Sequence, residues 1–319
     1  MPDLPSFADV EAAARRIAPH AHLTPVLRSA SLDALAGARL HFKCENLQRA
    51  GAFKFRGACN AVWSLDEAEA ARGVVTHSSG NHGAALALAA KTRGIPAHVV
   101  VPDGAVAAKL AAIASYGAVL HRCAPGMAAR ETAAEAVRRA TGATLVHPFS
   151  DSRVIAGQGT AVLELLAETG PLDALVVPVG GGGLLAGSAI AAHALQPDLA
   201  VIGAEPLGAA DAAASLARGR RITDLLPDTI CDGLRGTIGE INLQLLRAYG
   251  VEVLTVDDRD TVAAMRLMFE RMKLVVEPSS AVALAAVLAD PGRFAGRRVG
   301  VILSGGNVDL DALPWCAPG

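Results

Sequence analysis

Leu175-Val-Val-Pro-Val179-Gly180-Gly181-Gly182-Gly183-Leu184 is the stretch that decides the fold. The apolar run Leu175–Val179 reads as a buried strand, and the alanine- and leucine-rich continuation to Leu195 reads as a helix. Four glycines join them. Glycines let the backbone approach an anion closely, and the free N–H groups at a helix start offer it partial positive charge. Ala174 to Gln196 carries no Asp, Glu, Lys or Arg and is long enough to imitate a membrane span. Pro178 and the glycines interrupt it, so it reads as strand, loop and helix.

The same alternation extends in both directions. Further strands are expected at Leu40–Lys43, Gly73–His77, Ala97–Val101, Val119–Leu120, Thr144–Val146, Ala200–Ala204, Val251–Val256 and Arg298–Leu303. Helices are expected at Gly83–Thr92, Ala128–Ala140, Gln158–Glu168, Leu184–Leu195 and Asp260–Lys273. Strands that alternate with helices predict an α/β fold with mostly parallel sheets covered by helices. Nine strands exceed the commonest sheet size, which predicts two sheets and two lobes.

Bulk composition narrows the function. The 319 residues are 52% hydrophobic but only 3% aromatic, so the core must be built from alanine, leucine and valine. Net charge is −2 with no basic block, which implies neither nucleic acid nor an anionic membrane surface as partner. The five cysteines, Cys44, Cys59, Cys123, Cys231 and Cys316, show no CxxC spacing. They predict reduced thiols and a cytoplasmic protein rather than a disulfide framework or a zinc site. The N-terminus carries Asp3, Asp9 and Glu11 without a long apolar run, so no signal peptide is expected.

Gly51-Ala-Phe53-Lys54-Phe55-Arg56-Gly57 sets a lysine between two phenylalanines. Apolar surroundings lower a lysine's pKa and free its neutral amine as nucleophile or base. Taken alone, the stretch fits an ordinary amphipathic lysine better. Three further motifs reverse that order: Ser78-Ser79-Gly80-Asn81-His82-Gly83, Gly180–Gly183 and Ser304-Gly305-Gly306-Asn307. On its own window, Gly181-x-Gly183-x-x-Ala186 with Glu205 fits a dinucleotide fingerprint equally well. That reading leaves the lysine and the serine motif idle.

In order and spacing, these motifs resemble the fold-type II pyridoxal-phosphate enzymes, the group of tryptophan synthase β. The resemblance runs from about Thr24 to Trp315 and is nearest to serine racemase and the serine/threonine and 3-hydroxyaspartate dehydratases. It implies a large cofactor-anchoring domain made of residues 1–63 and 152–319, and a small mobile substrate domain at 64–151. It implies pyridoxal 5′-phosphate on Lys54, beside Phe53. The phosphate would lie on Gly180, Gly181, Gly182, Gly183 and Leu184, the ring oxygen by Asn81 and the ring nitrogen by Ser304. Ser78, Ser79, Asn81 and His82 would meet the substrate α-carboxylate, with Ser79 also the acid/base opposite Lys54 in a racemase.

Arg130 and Thr237 are matched to the substrate end of the site, and Arg130 suits a second, distal carboxylate. An exposed helix arginine beside Glu131 and Glu135 is the equal alternative. Glu205 and Asp211 with the Ala209 carbonyl can hold a hard cation, Mg2+ or else Ca2+ or Mn2+. Without the resemblance, a solvated acidic turn is the better reading of that segment. The implied activity is dehydration of an L-β-hydroxy amino acid (serine, threonine or 3-hydroxyaspartate) to a 2-oxo acid and ammonia. Amino acid racemisation and β-replacement of the cysteine-synthase type are the alternatives, and a homodimer is expected. Tyr116, Lys273 and Asn307 match a nucleotide-effector site, but Arg49 and Ala50 depart from it. His147-Pro148-Phe149 lacks the asparagine that animal racemases carry after His-Pro.

Overall fold

The computed structural model describes residues 4–315, which leaves Cys316 outside it. Ten strands form two sheets. β1 (Val26–Leu27), β2 (Arg39–Cys44), β7 (Ala174–Pro178), β8 (Ala200–Pro206), β9 (Glu252–Val256) and β10 (Arg298–Leu303) make the larger, in the order β1-β2-β10-β7-β8-β9. β3 (Val74–Thr76), β4 (Ala97–Pro102), β5 (Val119–Cys123) and β6 (Thr144–Leu145) make the smaller, in the order β5-β4-β3-β6. All neighbours pair in parallel except β1, which runs antiparallel to β2. β1 is the strand that the sequence pattern does not announce, being only two half-buried residues.

The period of two along β7 explains how helices come to cover both faces of the larger sheet. Ala174 and Val176 pack into one core with Val299, Val301 and the Pro278–Ala289 helix. Leu175 and Val177 pack into the other with Ile302 and the Gly183–Leu195 helix. Small residues allow these layers to approach. A Cβ on Gly157 would lie 2.6 Å from the Cα of Gly57, where the Ser152–Thr169 helix meets the Lys54–Trp63 helix.

A buried ionic cluster secures that second helix. Arg56 donates to both oxygens of Glu45 and both of Glu164, and Lys43 donates to Glu164 and to the Thr24 carbonyl. Two cations therefore balance two carboxylates inside the protein. Such a cluster holds position well and adds little net stability.

In each sheet the chemistry-bearing loops leave the carboxyl ends of the parallel strands. Lys54 lies beyond β2, Gly180 beyond β7, Ser304 beyond β10, Ser78–Gly83 beyond β3 and His147 beyond β6. Chain order reverses between β10 and β7, which opens a crevice there. Among the described residues, no helix is long and apolar enough to cross a membrane.

Candidate active site

Lys54 opens its helix, and the loop before it is tied to the end of β10. Phe53 N–H donates to the Ser304 carbonyl at 2.9 Å, and Ala52 bridges Gly305. The backbone alone thus brings the lysine and the serine together. The Lys54 ammonium donates to the Pro148 carbonyl at 2.8 Å and stands 5.1 Å from the centre of the Phe53 ring. Burial pushes its pKa down to about 8, with Glu277 pulling the other way. Ser304 is 3% exposed, and its hydroxyl has no hydrogen-bond partner among the described residues.

The glycine loop admits no side chain. A Cβ would lie 2.8 Å from the Leu234 Cα at Gly180, 2.3 Å from the Phe149 ring at Gly181 and 2.3 Å from Ile238 Cδ1 at Gly182. Gly182 also has φ +89°. Asn242 props the loop from behind, donating through Nδ2 to the Gly181 and Phe149 carbonyls at 2.6 and 2.8 Å. Its Oδ1 is buried without a partner. Gly183 and Leu184 begin the helix, so its first N–H groups face the cradle.

Asn81 starts its own helix, two residues earlier than the sequence pattern predicts. Its Nδ2 donates to the Glu277 carboxylate at 2.9 and 3.1 Å, and its Oδ1 accepts from Asn307 at 2.9 Å. These contacts fix which way the amide faces. Neither Ser78 nor Ser79 caps the helix, since Gly80 occupies that position without a side-chain bond. Ser78 only accepts from Gly80 N–H at 3.4 Å. Ser79 is half-buried, and no side chain hydrogen-bonds it among the described residues. His82 is buried against the Val146 carbonyl, which leaves it a neutral orienting residue.

Glu277 is a site residue that sequence reasoning missed. Burial pushes its carboxyl up to about 7 against the pull of the Asn81 bond. A lone acid between Val275-Val276 and Pro278 was the available signal. Phe149 and Asn242 were also missed, and their spacing in the chain carries no hint of the glycine loop.

Arg130 is half-buried in the first turn of the Met127–Thr141 helix, and its Nε is sealed off without a partner. Glu135, its expected neighbour, is taken by Arg138 and Arg139. Nearby, Glu131, His77 and His147 bring ligand atoms within 4.8 Å of one another. A metal is the obvious suspicion, and the tautomer argues against it. Phe149 and Ser150 N–H groups donate to His147 Nδ1 at 3.3 and 3.0 Å. In the neutral ring, Nε2 therefore carries the proton and cannot ligate. Burial holds this histidine neutral, down to about 4.

A cavity of about 770 Å3 opens beside the glycine loop, lined by Glu131, His147, Phe149, Arg221 and Thr237 among others. Thr237 thus stands on the wall of that cavity. Glu205 is fully buried and accepts from Ala212 and Ala213 N–H at 2.9 and 3.0 Å, so it cannot serve a ribose. Asp211 accepts from Ile238 N–H at 2.7 Å. Burial pushes the two carboxyls up to about 8 and about 6, and neither forms an ion pair among the described residues. Glu205 has no cation beside it and Asp211 feels only the charge of Arg221. Two buried acids with at most one nearby cation, and Ala209 beside them at 1% exposure, fit a divalent cation.

The family model described as "Pyridoxal-phosphate dependent enzyme" matches residues 17–305. The chain is 47% identical to a beta-hydroxyaspartate dehydratase of Paracoccus denitrificans, over 98% of this chain and 99% of that protein. It is 49% identical to a serine racemase of Arabidopsis thaliana, over 93% and 92%. Its fold superposes on maize serine racemase with a TM-score of 0.93 at 44% identity, covering 97% and 95%. A solved threonine deaminase gives 0.90 at 43%, covering 97% and 100%.

Proposed function

Because the chain belongs to the pyridoxal-phosphate dependent enzyme family, we propose that it is a dehydratase that converts an L-β-hydroxy amino acid to a 2-oxo acid and ammonia. Lys54 would hold the cofactor, Gly180–Gly183 its phosphate, Asn81 its ring oxygen and Ser304 its ring nitrogen. The side-chain-free cradle and the partnerless Ser304 hydroxyl fit that group. When bound, the cofactor supplies an electron sink that acidifies the substrate α-carbon.

The single observation behind the choice of reaction is the contrast between Lys54 and Ser79, two residues that the resemblance sets on opposite faces of the cofactor. On one face Lys54 offers an amine with a pKa of about 8. On the other, Ser79 has no base bonded to it. Elimination needs one base. Lys54 takes the α-proton at Nζ and returns it to the departing β-hydroxyl, which leaves as water. The enamine then tautomerises to the imine and adds a second water to release ammonia and the 2-oxo acid, with no net change of oxidation state. The Ser78–Gly83 loop holds the α-carboxylate, and closure of residues 64–151 over it excludes water. Glu205, Asp211 and the Ala209 carbonyl would hold Mg2+ or Ca2+ away from the reacting atoms, in a supporting role.

The Paracoccus relative supports 3-hydroxyaspartate as substrate, whose distal carboxylate needs a cation in the site, and half-buried Arg130 is one candidate for it. The test is 2-oxo acid release from cofactor-loaded protein with L-serine, L-threonine and the 3-hydroxyaspartate isomers. Preference for hydroxyaspartate is expected, and release from none of them sinks the reading. Racemisation is the second reading, favoured by the names of several relatives and by a serine at position 79. Ser79→Ala should abolish racemisation and spare elimination.

A further inference from the structure

We propose that Arg221, on the larger-sheet wall of the cavity, is the fork that binds a second carboxylate on the substrate side chain. This rests on the dehydratase reading and adds a specificity residue to it.

Arg221 is half-buried and lines the cavity. Its Nε donates to the Ile238 carbonyl at 2.5 Å, and the N–H of the same residue donates to Asp211. The guanidinium is therefore anchored by one nitrogen to a residue that is itself held at its other end. No carboxylate makes an ion pair with it among the described residues. Asp211, the acid that feels its charge, spends one oxygen on Ile238 N–H and leaves the terminal guanidinium nitrogens unpaired. The two terminal nitrogens of an arginine so fixed match a planar anion bidentately, with little entropy left to lose.

The other charges around the cavity are placed differently. Arg235 is exposed, and its Nε and one terminal nitrogen are already spent on the Thr229 carbonyl. Glu131 and Glu240 are exposed, where solvent and salt screen them. His147 is neutral. A half-buried cation facing screened acids leaves the inner wall attractive to an anion.

Location ties this wall to the reaction. Phe149 and Gly239 line the cavity, and Gly239 N–H donates to the Gly181 carbonyl of the glycine loop at 3.0 Å. His147, on the same cavity wall, feels the charges of both Lys54 and Arg221, so the side chain of a substrate at Lys54 faces toward Arg221. The substrate class is a β-hydroxy amino acid that carries a distal carboxylate.

The experiment compares wild type, Arg221→Gln, Arg221→Lys and Arg130→Gln as metal- and cofactor-loaded protein. It reads KM and kcat with L-serine, L-threonine and 3-hydroxyaspartate, and succinate binding by calorimetry. Arg221→Gln should raise KM for hydroxyaspartate about 10- to 100-fold and weaken succinate in parallel, while L-serine stays within about threefold. Arg221→Lys should recover only part, because a point charge lacks the fork. Equal losses for serine and hydroxyaspartate, or a selective loss in Arg130→Gln alone, overturn the proposal. If no hydroxy amino acid yields a 2-oxo acid, the dehydratase reading fails. Succinate binding still decides Arg221, since unchanged affinity in Arg221→Gln refutes it.

Discussion

Replacing Gly182 by alanine tests whether the glycine loop is a cradle whose shape is fixed by its missing side chains. The new Cβ must sit at φ +89°, 2.3 Å from Ile238 Cδ1 and 2.9 Å from Asn242 Cβ. A left-handed alanine costs about 1–2 kcal/mol, and overpacking adds about 1–3 kcal/mol. The sum is about 2–5 kcal/mol. Displacing Asn242 also threatens its bonds to Gly181 and Phe149, so the loss falls on the cradle itself. If the strain is borne only by the cofactor-binding shape, affinity for pyridoxal phosphate falls about 30- to 5,000-fold. Gly37→Ala is the control, since Gly37 has φ +61° and nothing within 4 Å of its missing Cβ. It should lose only about 1 kcal/mol and load normally. The assay is an absorbance titration of cofactor-free protein, with thermal unfolding measured alongside. Gly182→Ala protein that loads within about threefold of wild type and melts with Gly37→Ala would refute the reasoning.

Lys54→Ala should eliminate turnover and the absorbance of covalently held cofactor, whereas retained turnover would remove Lys54 from the mechanism. Because burial lowers its pKa to about 8, Lys54 carries a neutral amine in roughly a tenth of molecules at pH 7. Cofactor loading, followed by stopped-flow absorbance, should accelerate nearly tenfold per pH unit below 8 and level off above it; a rate still climbing at pH 10 contradicts the lowered pKa. Adding Mg2+ to chelator-treated protein should raise Tm by several degrees, since a hundredfold excess over Kd contributes about 2.7 kcal/mol. Asp211→Asn should abolish that response, and an equal response in the variant would move the cation elsewhere.

What the sequence makes legible depends on whether a residue's type betrays its role. Gly180–Gly183 stand out because few other contexts gather glycine between a strand and a helix. Lys54 between two phenylalanines and Ser304 before two glycines carry similar local marks, and the strand–helix alternation announces parallel sheets. Glu277 is different. It reaches Asn81 only because the Pro278–Ala289 helix packs under the larger sheet while Asn81 comes from the smaller, 196 residues away in the chain. Asn242 and Arg221 acquire their tasks in the same way, through segments that fold back on the cradle. Arg130 shows the converse, since Glu131 and Glu135 promise it surface ion pairs, yet Glu135 pairs with Arg138 and Arg139 and Glu131 makes no ion pair among the described residues. The two-residue β1 escapes notice because half-buried Val26 and Leu27 carry no period.

The Arg56 cluster has a consequence for how this chain can change. Lys43, Glu45, Arg56 and Glu164 cancel one another's charge where water cannot reach most of them. Removing one member strands its partner and costs about 3–5 kcal/mol, whereas apolar replacement of a matched set can be nearly neutral. The four positions, spread from 43 to 164, therefore form a single heritable unit. A library of one-letter variants will record each as intolerant, and only paired exchanges will find the way across. Since Arg56 stands one helical residue beyond Phe55 and two beyond Lys54, any lineage that makes the exchange must keep the base in register throughout.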